Sequence, residues 1–157
     1  MRTIIHDIDD FNFFVYPDDR IINGKDFKPC IGCFKCWTNK DTCFICDDFY
    51  DNGKMMLNCD EFIIISKCVN GCYGSDVKKL LERSISYVEP FFTIRDKEIH
   101  HKAKASRNIV FKVYFYGKKI TKKEREIATN LVFRNCINLY AKKPVVEFYN
   151  DYKEIKL

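Results

Sequence analysis

The chain of 157 residues has no apolar run long enough to cross a membrane, and its longest hydrophobic stretches, such as residues 62–65, are strand-sized. The opening residues, MRTIIHDIDD, contain no apolar core of a secretory signal and turn acidic at once. The expected compartment is therefore the cytoplasm, where thiols stay reduced. No internal repeat and no Gly/Ser/Pro-rich linker divides the chain, so a single domain is expected over residues 1–157. There is no Ser/His/Asp pattern and no carboxylate pair with catalytic logic. Residues 9–29 contain neither Ser nor Thr, and their one glycine is Gly24.

What the chain does have is cysteine. Nine are present, and five fall in the run PCIGCFKCWTNKDTCFIC: Cys30, Cys33, Cys36, Cys43 and Cys46. In a reducing compartment such spacing points to metal, a cluster or free thiols, not to a disulfide framework. Three chemistries compete for the run. Cys30, Cys33, Cys36 and Cys43 have spacing suited to a [4Fe–4S] cluster. Cys30 and Cys33 with Cys43 and Cys46 form two C-x2-C knuckles suited to tetrahedral zinc. In the third reading the thiols are free, with Cys33 and Cys36 redox-active. Trp37 reads as the residue that packs this loop on the core. Cys59 and Cys136 read as small buried apolar residues.

Hydrophobic residues make up 46% of the chain, enough for a packed core. Residues 2–8 (RTIIHDI) read as a strand, with a short strand around 13–16. A helix covers about 48–58, started by Asp47 or Asp48. The run EFIIIS at 61–66 has the continuous apolarity of a strand buried on both faces. A Gly-containing loop, 67–74, leads to a helix from Ser75 or Asp76 through Val88. Residues 91–107 form an excursion with a small hairpin. Residues 108–116 form a strand, Thr121 with Glu124 caps a helix reaching about residue 140, and 144–149 is a last strand. Strands alternating with helices predict an α/β sandwich around a mostly parallel sheet, with ligands at the carboxyl ends of its strands. The loops leaving Ser66 and Tyr116 are then the floor of any site, with the cysteine run beside them.

The net charge of +5 is uneven, with eleven Lys or Arg between 95 and 126. No nucleic-acid motif accompanies them, so the stretch reads as a solvated face and nucleic-acid binding is not expected. His100 and His101 read as surface histidines.

In this order and spacing, PCIGCFKCW with Cys43 and Asp47-Asp48, then EFIIIS with its Gly-containing loop, then KKLLERS with Lys78 and Arg83, the chain resembles the flavodoxin-like NADPH-dependent FMN reductases and, among them, the iron–sulfur flavoproteins. The matching stretch runs from residue 28 to about 83, with weaker agreement to about 140. The resemblance implies a flavodoxin-like three-layer sandwich, FMN as cofactor and NAD(P)H or a protein as electron donor. It also implies a small-molecule or protein redox partner and a homo-oligomer. By position Ser66, Lys67, Cys68, Val69, Asn70 and Gly71, with Tyr116 and Gly117, would face the flavin. Cys30, Cys33, Cys36 and Cys43 would hold the cluster. The alternative is a metal- or partner-binding module on the same scaffold without FMN. It is motivated by a departure from the family: where the phosphate loop and first long helix belong, residues 9–29 carry Asp9, Asp10, Asp18, Asp19 and Asp26.

Overall fold

The computed structural model describes residues 1–40, 42–105 and 108–157. Its strands are β1 (Arg2–His6), β2 (Arg20–Asn23), β3 (Glu61–Val69), β4 (Cys72–Tyr73), β5 (Val88–Arg95), β6 (Glu98–Ala103), β7 (Val110–Tyr116) and β8 (Val145–Tyr149). Its helices are α1 (Asn52–Leu57), α2 (Ser75–Glu82) and α3 (Lys122–Asn138).

The isoleucine-rich strands β1 and β3 lie at the centre because both of their faces find apolar cover. Ile4, Ile5, Phe62, Ile63, Ile64 and Ile65 are all at most 1% exposed. The main sheet runs β2-β1-β3-β7-β8 with every one of these pairings parallel, and β4 folds back antiparallel on β3. Numbering only the five parallel strands, the order is 2-1-3-4-5, the doubly wound order of flavodoxin-like folds.

The two faces are covered differently. Phe62, Ile64, Phe111, Val113 and Phe115 pack with Met55 and Met56 of α1, Val77 and Leu80 of α2, and Ala128 and Val132 of α3. All three helices therefore sit on one face. On the other, Ile4, Ile63, Ile65 and Tyr114 are covered by Phe11, Phe13 and Val15 and by Tyr152, Ile155 and Leu157. The chain passes from β1 to β2 in the opposite lateral sense to its later crossovers, and right-handed connection places that link on the helix-free face. The third layer is thus built of the irregular segment 11–15 and of residues 152–157, which begin in a short 3-10 turn.

This explains one difference from the sequence reading. Residues 13–16 alternate half-buried and exposed side chains but belong to no strand; the strand is β2, at 20–23. The alternation serves packing onto a sheet face, not pairing along an edge. Two helices are also shorter than the sequence suggests. The turn through 48–51 precedes α1, so only 52–57 is α-helical. After Glu82 the chain tightens into a 3-10 segment, Arg83–Tyr87, and Val88 already belongs to β5. Thr121 and Glu124 form the capping box expected of α3. The excursion is the antiparallel hairpin β5–β6, turning at Asp96 and Lys97, both with positive φ. Among the described residues no helix is long and apolar enough to cross a membrane.

Candidate functional site

Two groups of polar side chains stand out, at opposite ends of α2. The first lies at the carboxyl ends of β1 and β3, the place where the strand order reverses. Asp7 leaves β1 and is 9% exposed. Its carboxylate accepts the backbone N–H of Lys67 at 3.0 Å, the Ser66 hydroxyl at 3.2 Å and the Tyr116 hydroxyl at 3.0 Å. Ser66 in turn accepts the N–H of Gly74 at 2.9 Å. Burial raises the Asp7 pKa against the lowering effect of these bonds. The phenol of Tyr116 is pushed up as well, by burial and by the Asp7 charge. Beside it His6 is buried, accepts the Ile8 N–H through Nδ1 at 3.2 Å, and is lowered by burial to about 4.

This crevice was expected to face a flavin, and the structure does bring Ser66, Lys67 and Tyr116 together there. The group they converge on is Asp7. Gly117 follows Tyr116 and donates its N–H to Tyr149 O at 3.0 Å. The remaining expected residues belong to a hairpin: Cys68 and Val69 lie on β3 opposite Tyr73 and Cys72 of β4. Asn70 and Gly71 have φ of 52° and 76°, the primed turn that an Asn-Gly pair favours. A Cβ on Gly71 would meet Ile127 Cβ at 2.8 Å and Glu124 O at 3.0 Å, so its close approach is to α3. The crevice does not fit the phosphate of FMN. A carboxylate already takes the Lys67 N–H and both hydroxyls, and the exposed Asp9 and Asp10 follow it in the chain.

The second group is the cysteine run. It lies beside the carboxyl end of α2, not beside Ser66 and Tyr116 at the helix's start. From Ser75 to Arg83 the rise is roughly 12 Å. The loop is seated by Trp37, whose indole N–H donates to Val88 O at 2.8 Å and to Ile85 O at 3.2 Å. Its packing role is as the sequence suggests. Cys30, Cys33, Cys36 and Cys43 all line one cavity of about 150 Å3, together with Phe44 and Arg83. Cys46 is exposed and is not part of that wall. Burial pushes the Cys36 thiol up, and the charges of Cys43, Cys30 and Cys33 add to this, so the four sulfurs feel one another. The Gly32 N–H donates to Cys30 Sγ at 3.4 Å.

Arg83 closes the cavity. Its guanidinium, fully buried, makes a bidentate pair with Asp47 at 2.6 and 2.7 Å and donates to Lys28 O at 3.3 Å. Burial alone would lower the Arg83 pKa; Asp47 and Cys43 more than offset that. Its Nε is buried and has no hydrogen-bond partner among the described residues. The Asp47 carboxyl loses some solvent, which raises it, but Arg83 holds it below the ordinary carboxylate range. Asp47 is therefore an ion-pair partner and not a helix start. Neither it nor Asp7 was singled out as a site residue from sequence. The available signals were an acid directly after a buried strand, and an acid-to-arginine separation of 36 residues that no local pattern links.

Among the described residues no three His, Cys, Asp or Glu side chains are placed to share a single metal ion. One zinc at about 2.3 Å from each sulfur demands a tighter group than a cavity wall. All nine cysteines are unpaired, and Cys68 and Cys72 are half-buried on the β3–β4 hairpin.

The remaining candidates are structural. His100 is buried and its Nδ1 lies 2.7 Å from Asn138 Oδ1, while His101 packs at a tilt against Trp37 and Phe92. Neither is a free surface histidine. The basic stretch is split. Lys97 and Lys102 are on the β5–β6 hairpin near the end of α3, and Lys122, Lys123 and Arg125 are at its start, roughly 25 Å away. Arg107 of that stretch lies outside the described residues. No protein-family model matches the chain, and no curated protein matches it either.

Proposed function

We propose that this protein is a metal-cluster-binding redox module on a flavodoxin-like scaffold, holding an iron–sulfur cluster with Cys30, Cys33, Cys36 and Cys43. The observation that carries the reading is the convergence of these four thiols on one cavity closed by the buried Arg83. A [4Fe–4S] group bound there would supply one-electron transfer, with thiolate ligation and N–H···S bonds setting its potential.

The chain's own residues have defined tasks. The Asp47–Arg83 pair fixes the base of the loop, and Trp37 anchors its middle to Ile85 and Val88. The Arg83 guanidinium lies beside Cys43, and that neighbour together with Asp47 keeps Arg83 charged despite its burial. Gly32 adopts φ of 65° with nothing within 4 Å of its would-be Cβ, and directs its N–H to Cys30. The reduced thiols this requires fit a cytoplasmic setting.

The test is anaerobic purification followed by reconstitution with ferrous iron and sulfide, with elemental analysis and an absorption spectrum. About four iron per chain and a broad brown absorption are expected. Cys36→Ser should lose most of the iron and Cys46→Ser should keep it. Stoichiometric zinc without iron would sink the cluster in favour of the knuckle reading.

A second reading, an FMN-dependent oxidoreductase using NAD(P)H, is favoured by the 2-1-3-4-5 strand order alone. Two flavin bands that persist through gel filtration after FMN addition would favour it. A colourless mixture would count against it.

A further inference from the structure

A second cavity, of about 410 Å3, lies between the end of α2, the β5–β6 hairpin and the last turns of α3. Its volume is in the range of small-molecule sites. Engineered apolar cavities of roughly 150 Å3 already admit benzene, so this one has room for about two fused rings with substituents. Its wall is mostly apolar, with Leu81, Ile85, Val88, Phe111 and Leu139 among the lining residues, and the ring of His101 borders it.

Among the polar groups that break that wall, two are placed in an ordered way. Asn135 and Asn138, three residues apart on α3, fall on one helix face. Each amide is tethered by one end. Asn135 Nδ2 donates to the buried Tyr73 hydroxyl at 3.2 Å, and Asn138 Oδ1 accepts from His100 Nδ1 at 2.7 Å. The other ends, Asn135 Oδ1 and Asn138 Nδ2, hydrogen-bond to no other group among the described residues. The cavity is thus bordered by one tethered acceptor and one tethered donor on the same helix face, in a wall whose other polar members include Glu82 and Ser84. His101 adds a third group. Its Nδ1 lies 3.0 Å from the Glu89 carbonyl, which only accepts, so Nδ1 is the donor of that bond.

From this arrangement we infer that the cavity is a binding site for a planar bicyclic aromatic molecule bearing a hydroxyl or carbonyl oxygen. Aliphatic ligands of equal volume lack the flat face that the half-buried His101 ring, which borders the cavity, is suited to contact. Unsubstituted aromatics cannot pair with the half-buried Asn135 oxygen or with the Asn138 amide at the exposed rim, which costs affinity. The inference does not rest on a cluster in the cysteine pocket, although Glu82 and Ile85 line both cavities.

Trp37 supplies the measurement. It is the one tryptophan of the chain, and its indole N–H is bonded to Ile85 and Val88, both in the cavity wall. Titration of the full chain with 2-naphthol, which does not add to thiols, is followed by the single indole signal in a 15N–1H spectrum and by calorimetry. A saturable shift with one-to-one stoichiometry is expected. Naphthalene and cyclohexanol should each bind about tenfold more weakly or worse, the equivalent of one lost hydrogen bond. Leu81→Phe, which fills the cavity from α2, should abolish the shift while the rest of the spectrum keeps its dispersion. Asn138→Leu should weaken 2-naphthol about tenfold and naphthalene hardly at all. No saturable shift in the folded wild-type chain would overturn the inference. So would cyclohexanol binding as tightly as 2-naphthol, or undiminished binding to Leu81→Phe.

Discussion

At the scale of single residues, burial has turned ordinary ionisable groups into pH-dependent elements of the fold. His6 is 3% exposed and lowered by burial to about 4, whereas the unfolded chain takes up its proton near 6.5. Above pH 6.5 both states are neutral and its contribution is complete. As pH falls toward 4 the unfolded state gains the proton first, and stability is lost. Between pH 7 and 5 that loss is roughly 2 kcal/mol. Asp7, raised by burial, works in the opposite sense: below its folded pKa the native state holds the proton more tightly, so acidification favours folding. Urea unfolding at the two pH values should therefore show the full loss in Asp7→Asn and a reversed slope in His6→Asn. Equal slopes in the two variants would refute the assignment. Arg83→Met should cost about 3 kcal/mol in the same assay. This is the low end for a broken buried pair, because the Asp47 side chain retains 20% exposure.

At the scale of elements, the informative piece is the turn between β3 and β4. Asn70-Gly71 between Val69 and Cys72 is a strong local hairpin signal, yet the sequence reading treats 67–74 as one open loop. The reason is that β4 is two residues long and carries no periodicity. The hairpin closes against α3, and this sets the cost of changing its glycine. Gly71→Ala adds both a left-handed alanine and a clash with Ile127, for about 2–3 kcal/mol. Gly32→Ala, with φ of 65° and open space, adds only the conformational cost of about 1 kcal/mol. Thermal melts of the two variants should rank them in that order. α2 is the spacer between the two polar groups. Its eight residues put Asp7 and Ser66 at one end and Arg83 with the cysteine cavity at the other.

At the scale of the whole molecule, the notable property is a parallel sheet with helices on one face only. The second face depends on residues 11–15 and 152–157 to keep Ile4, Ile63 and Ile65 from water. Those segments have few backbone hydrogen bonds of their own, so their adherence rests on apolar contact. Ile155, 4% exposed, is central to it. Ile155→Ala should cost roughly 2–3 kcal/mol. It should also raise binding of a hydrophobic dye and speed proteolysis within 9–19, while leaving the indole signal of Trp37 unmoved. A shift of that signal would mean that the two faces are more strongly coupled than their separate clusters imply.

The sequence by itself determined the class of fold and most of its elements. Continuous apolar runs at 61–66 and 108–116, the capping box at Thr121 and Glu124, and the alternation of strand and helix are local patterns, and local patterns survive without tertiary context. It also marked four cysteines whose spacing suits one group. The tertiary structure alone decided where those cysteines sit and what borders them. Asp7 with Tyr116 spans 109 residues and Asp47 with Arg83 spans 36, and no sequence period encodes contacts of that range. Burial, which shifts His6 and Asp7 in opposite senses, exists only once the sheet has formed. The absence of a phosphate loop was legible in residues 9–29. That a carboxylate from the end of β1 stands at the switch point became visible only when β1 and β3 were placed side by side.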